Sequence, residues 1–281
     1  MQLETGYFED ERLRAGLNRL TRTVYGFDFE AWHRGGFSDG SYIPFTYFEG
    51  DTALCNVSAN EQAFELDGRA LRLVQLGTVM TAPEARGQGL ARDLMVRVLS
   101  RYEGACDGIF LFANDSVLDF YPRFGFKRAR EWQHCFTVPK RRGGARKLSM
   151  DDPAQVQRVA YAMKTFGQQA RLSLVRPAAL GMFYAAGFMQ GDVYEVGAGQ
   201  IALARYEETA AVLVHLFGDG LGVREAAACL ARRDGERVRL GFTPEDAVDM
   251  ETQRLREEDT TLFVRGFQMP EGVRFPELSH A

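Results

Sequence analysis

The residues best placed to do chemistry lie in one short run, Arg86-Gly87-Gln88-Gly89-Leu90-Ala91-Arg92. Directly behind its two glycines, apolar residues recur at helical spacing: Leu90, Leu94, Met95, Val98 and Leu99. A helix starting here points free backbone N–H groups out of its first turn, and its dipole adds partial positive charge there. Gly87 and Gly89 lack a Cβ, so phosphates can approach the main chain closely, and Arg86 stands at the rim. The chemistry this implies is anion binding. The same glycines would also suit a helix start packed tightly on its neighbours. No Gly-Lys-Ser/Thr closes the run as in a Walker A loop, and the Gly-x-Gly-x-x-Gly of dinucleotide folds is missing. Neither the four cysteines (Cys55, Cys106, Cys135, Cys229) nor the four histidines (His33, His134, His215, His280) show metal-ligand spacing, so no metal is assigned.

The elements that must position this run can be read outward from it. Gln75 to Thr81 is an apolar strand, and Pro83 opens a turn into the loop. Upstream, Leu13, Leu17, Leu20 and Val24 predict a helix over 11–25, and a shorter helix follows from Asp28 to Gly35-Gly36. Strands are expected at 43–48, 53–58, 62–66 and 71–81, with turns at Glu49-Gly50-Asp51 and Asp67-Gly68. Downstream of the helix from Leu90 to Arg101, the unbroken apolar run Gly108 to Ala113 reads as a strand buried on both faces.

The spacing Arg86-x-x-Gly89-x-Ala91 after a strand resembles the pyrophosphate loop of the GNAT (GCN5-related) superfamily of acyl-CoA-dependent N-acetyltransferases. A second segment, Asn114 followed by Phe120-Tyr121 and then Gly125-Phe126, resembles that family's second signature at the expected distance behind the first. The resemblance implies an α/β (α+β) fold with a mixed, mostly antiparallel central sheet flanked by helices, and acetyl-CoA (coenzyme A) as donor. It implies that Val79, Met80 and Thr81 hold the pantetheine arm through their backbone, and that Arg86, Gly87, Gln88, Gly89, Leu90, Ala91 and Arg92 hold the pyrophosphate. Asn114 then contacts the arm, and Tyr121 protonates the departing thiolate. Without a ligand role, Tyr121 would simply pack beside Phe120 and Phe124. In such enzymes the two N-terminal helices wall the acceptor side, here bringing Phe27, Glu30, Trp32 and His33 to it. The strand from Gln75 to Thr81 has no carboxylate to serve as general base. Glu30, Glu61, Glu84 and Asp115 are candidates by region only, with a water chain to a distant carboxylate or to the chain terminus equally open.

Trp132 to Val138 is expected to close the first sheet, which gives an N-terminal domain over 1–139. The basic run 140–147 reads as a solvated linker; without interleaved aromatics it is a poor nucleic-acid surface. Residues 148–281 repeat the order of strands, glycine loop, helix and strand, and are expected to form a second, degenerate GNAT-like domain. Its loop, Gly218-Asp219-Gly220-Leu221-Gly222, sets a carboxylate where phosphate would sit, so its glycines are assigned to turn geometry and packing and no coenzyme is expected there. A 281-residue chain is ample for two domains, and 46% hydrophobic with 26% charged residues is ordinary soluble composition. A net charge of −4 gives no pull toward nucleic acid or anionic membrane, and no signal peptide or spanning segment stands out. The expectation is a cytoplasmic N-acetyltransferase acting on a primary amine of a small molecule or peptide, with homo-oligomerisation left open. The alternative is a regulatory protein that binds acyl-CoA without turnover.

Overall fold

The structure is a computed structural model and describes residues 1–280. Strand β1 (Gln2–Thr5) leads to helix α1 (Glu11–Tyr25), opened by the Asp10 carboxylate, which accepts from the Arg12 and Leu13 N–H groups. Gly26 ends it in the left-handed region at φ 79°. The short α2 (Glu30–Arg34) precedes β2 (Tyr42–Glu49), β3 (Thr52–Leu66) and β4 (Arg69–Thr81). The strands read separately at 53–58 and 62–66 are therefore one element, whose register shifts between Asn56 and Ser58. Next come α3 (Leu90–Tyr102), β5 (Gly108–Ala113), β6 (Lys127–Arg128), β7 (Trp132–Val138) and β8 (Arg146–Lys147). The second half holds α4 (Pro153–Thr165), β9 (Leu172–Leu174), α5 (Ala178–Phe183), β10 (Val193–Val196), β11 (Gln200–Tyr206), β12 (Ala211–Phe217), α6 (Val223–Leu230), β13 (Glu236–Leu240), β14 (Glu251–Arg254) and β15 (Thr261–Arg265).

Two mixed sheets result. The first runs β1-β2-β3-β4-β5-β15-β6, with β9 also on β3; the second runs β14-β7-β13-β12-β11-β10-β8. In each sheet one parallel pair, β4/β5 or β12/β13, is joined by a helix crossover, α3 or α6. The internal repeat expected from element order is thus present in the topology.

The sheets differ from expectation at their outer strands. Trp132–Val138 does not close the first sheet; it pairs with β13 and β14 in the second. Leu262–Arg265, expected in the second half, lies within β15, which pairs with β5 and β6 in the first sheet. Each sheet therefore takes a strand from across the boundary expected at 139–148. Both segments are apolar and β-prone, and strand pattern alone carries no information about which sheet edge a strand joins. Phe263 is fully buried, in the same core as Tyr121 and Phe126. Burial of one such side chain contributes roughly 2 kcal/mol, enough to make the exchange a structural commitment.

The basic run is not a free linker. Arg146 and Lys147 pair with Glu195 and Tyr194 as β8, and Arg146 Nε donates to Glu195 at 2.9 Å. Arg142 lies 3.6 Å from Glu225, and the Arg141 N–H donates to Asp234. Its positive charge is partly matched by acids of the second half. Among the described residues no helix is long and apolar enough to cross a membrane.

Candidate active site

β4 and β5 pair only from Leu73 to Gln75, opposite Gly108 to Phe110. Beyond that point they separate, and the β4 edge from Leu76 to Thr81 faces a cleft instead of a strand. Beneath that edge the backbone is held in an unusual shape: Thr78 sits at φ 41°, a region that a β-branched residue rarely enters. A buried polar network keeps it there. Asn56 Nδ2 donates to the Thr78 carbonyl at 2.8 Å and to Ser58 Oγ at 2.9 Å, while Tyr42 lies 3.0 Å from Thr78 Oγ1. Thr46 Oγ1 donates to Asn56 Oδ1 at 2.6 Å, and Tyr7 joins beyond it. Burial pushes the Tyr42 phenol up to about 12, so it stays a neutral hydrogen-bonding strut.

At the open end of β4 a single 3₁₀ turn, Pro83–Ala85, leads into the glycine loop. Gly87 and Gly89 take φ 75° and 79°. A Cβ built on either would meet nothing within 4 Å, so protein packing is not what demands glycine here. The demand is the backbone conformation, and the space above it is open. Asp93 N–H is bonded back to Gly89, so the N–H groups ahead of it lie before the helix's own ladder. Arg86 and Arg92 are exposed at this turn. The one acid of the first helical turn, Asp93, is occupied by Tyr47 and Arg97. This donor set suits a diphosphate.

The matching loop in the second half is built differently. A Cβ on Gly218 would come 2.6 Å from Gln200 Cγ. Gln200 and Gln169 both donate to the carbonyls of Gly218 and Leu221, and the Leu221 N–H donates to Gln200. Those glycines serve packing and turn geometry, and the loop's polar groups are consumed internally.

The cleft has a volume of about 850 Å³. It brings together the main chain of Val79, Met80 and Thr81 with Arg86, Ala91, Asn114 and Tyr121. Gly87, Gln88, Gly89, Leu90 and Arg92 lie outside its lining, on the loop and helix start that continue from Arg86. Tyr121 is buried among Phe120, Phe126 and Phe263, with ring centroids 5.3, 6.2 and 5.7 Å away. Burial raises its phenol well above the usual tyrosine value, so the proton is retained at any working pH. The Val79 carbonyl is already engaged, accepting from Tyr25 Oη at 2.9 Å.

None of the four carboxylates suggested by region lines this cleft. Glu30 is bound by Arg14, Arg34 and Asn18, and the Arg14 hydrogen bond holds its carboxyl below the usual range. Glu61 accepts from Tyr102 Oη at 2.9 Å in a separate groove beside Arg72 and Arg101. Glu84 and Asp115 are exposed. Of the acceptor-side residues, Phe27 lines the cleft, while Trp32 is buried behind it and donates to the Ala179 carbonyl. His33 is likewise outside, against Glu9.

Several lining residues come from the second half and escaped the sequence reading: Phe183, Tyr184, Phe188, Asp259, Thr260 and His280. The only linear signal was the aromatic density of Phe183-Tyr184…Phe188, in a stretch with no element assigned. Among the described residues Asp259 is the one carboxylate in the lining, and its Oδ1 accepts from the Asp115 N–H at 2.9 Å. His280 stacks on Phe112 with centroids 3.6 Å apart, and its carbonyl accepts from Tyr184 Oη. Burial pushes this imidazole down to about 3, so it is neutral, and Nε2 has no partner among the described residues.

A parallel strand pair that splits above a glycine turn and helix start, set in a mixed sheet and repeated once, defines the GNAT class of fold. Residues 15–129 match the family model described as an acetyltransferase (GNAT) domain. Solved structures with the same architecture cover nearly all of the chain. A conserved Enterococcus faecalis V583 protein described as a probable N-acyltransferase aligns over 99% of this chain and 72% of its own, with TM-score 0.58 and 14% identity. Eis1 from Mycobacterium abscessus aligns over 93% and 73%, with TM-score 0.58 and 15% identity. A GCN5-related N-acetyltransferase from Kribbella flavida aligns over 94% and 72%, with TM-score 0.54 and 17% identity. At these identities the likeness is one of fold. No protein of curated function matches the sequence.

Proposed function

We propose that the protein transfers an acetyl group from acetyl-CoA to a primary amine, using the cleft opened between β4 and β5. The observation that carries this reading is the split between β4 and β5, with the open glycine turn at one end and a buried, protonated Tyr121 beside it. Acetyl-CoA, a substrate of such a reaction, supplies the activated thioester. Arg86 and the amides of residues 87–92 hold the diphosphate. The β4 edge at Val79 to Thr81, which β5 does not pair, aligns the pantetheine arm, with Asn114 opposite. Tyr121 keeps a proton available to the departing sulfur. Holding amine and thioester in register supplies much of the rate, up to ~7–11 kcal/mol in favourable cases, so a strong dedicated base is not required.

Tyr121→Phe tests the reading. Thiol release should fall roughly a hundredfold or more, the usual range for removing a general acid, while coenzyme A affinity stays within about threefold. A variant rate within about tenfold of the wild type removes Tyr121 from the chemistry. If the wild type binds coenzyme A but releases no thiol with any amine, it is instead a non-catalytic acyl-CoA-binding protein.

A further inference from the structure

The acceptor end of the cleft has a marked chemical bias. Tyr25 and Phe188 are large apolar side chains left 42% and 56% exposed, and both stand in its lining. Half-buried Phe27 and Phe183 join them, with centroid separations of 5.4 Å for Phe27–Phe188 and 5.3 Å for Phe183–Phe188. Phe29 and Trp32 behind this wall are fully packed and account for the adhesion between α2 and the second half. That packing runs through Phe183 itself, whereas Tyr25 and Phe188 keep much of their surface in water, which is unfavourable unless something covers them. Charge is sparse on the same wall: among the described residues Asp259 is the lone carboxylate, with one oxygen already accepting from the Asp115 N–H.

Resting on the acetyltransferase reading above, we propose that the acceptor is an amine carried on a flat apolar body, an arylalkylamine in chemical class, and not a polycation. The ring lies against Phe27, Phe183 and Phe188. The ammonium can rest over an aromatic face before deprotonation. A polyamine or an aminosugar would bring several charges to a wall with one carboxylate and would leave them without partners as water is expelled. In the reaction the ammonium releases one proton to solvent, and the neutral nitrogen forms the new N–C bond as the C–S bond breaks. Tyr121 gives its proton to sulfur, and the nitrogen's second proton restores the phenol.

The experiment measures thiol release by the full chain with phenethylamine, tryptamine, butylamine, spermidine and an aminoglycoside, alongside a coenzyme A titration. The aryl amines should exceed spermidine and the aminoglycoside in kcat/KM by at least tenfold. Phe188→Ala, at an exposed position, should raise KM for phenethylamine about tenfold with kcat nearly unchanged, and Phe188→Tyr should restore it. Coenzyme A affinity should not move in either variant. Equal or better turnover of spermidine or the aminoglycoside overturns the acceptor class while leaving acetyl transfer standing, as does an unchanged KM in Phe188→Ala. Coenzyme binding without turnover of any amine fails the underlying reading instead.

Discussion

Gly89→Ala tests the proposed coenzyme role of the glycine turn, because α3 carries its own control. Gly89 at the head of the helix has φ 79°, and Gly104 just past its end has φ 70°; a Cβ on either meets nothing within 4 Å. The two substitutions impose the same local strain, about 1–2 kcal/mol for placing an L side chain in the left-handed region, partly offset by a stiffer unfolded chain. Each should lower the unfolding midpoint by a similar few degrees. Only Gly89→Ala puts a methyl where the proposed diphosphate would approach the amides. Losing one charge-assisted hydrogen bond is worth about 1.5–3 kcal/mol, so coenzyme A should bind roughly tenfold or more weakly, with Gly104→Ala unaffected. Isothermal titration and chemical denaturation of both variants measure the two effects separately. Equal coenzyme affinity in the two proteins, at equal loss of stability, would falsify the placement of the diphosphate.

Two further expectations concern the exchanged strands and the buried charges. Phe263→Ala should cost about 3–5 kcal/mol by denaturant unfolding, and should lower thiol release as well, because the ring packs on Tyr121; full activity in a folded variant would sever that link. Burial pushes the Glu131 carboxyl up to about 7 from an unfolded value near 4.5, against the opposing pull of Arg274. Because the folded state binds the proton more tightly, its contribution is present below the unfolded value and is lost as pH rises to about 7. Glu131→Gln should therefore gain stability relative to wild type between pH 5 and pH 8, by up to about 3 kcal/mol, and a pH-independent difference rules the account out.

Local chemistry was legible wherever a residue's role depends on its chain neighbours. Helix α1 follows from its apolar spacing, the Asp10 cap and Gly26. The glycine turn follows from two residues that can take positive φ directly ahead of an amphipathic helix. Asn114 and Tyr121 fall near the turn because one helix and one buried strand fix the distance between the two segments. The long strand β3 reads as two because its apolar run lapses at 59–61, around Asn60 and just past the polar Asn56 and Ser58. In the structure those side chains are buried, and Asn56 and Ser58 hydrogen-bond beneath the cleft.

By itself, then, the sequence determined most of the elements, the glycine turn ahead of α3 and the existence of two similar halves. Only the tertiary structure decided that β7 and β15 change sheets, and that Phe183, Phe188, Asp259 and His280 from the far half line the cleft. The reason lies in the range of the forces. Dihedral preference, capping and hydrophobic period act over a few residues and are written in consecutive letters. Which sheet edge captures a strand, and which side chains then face a shared cleft, depends on competing burial between segments more than a hundred residues apart.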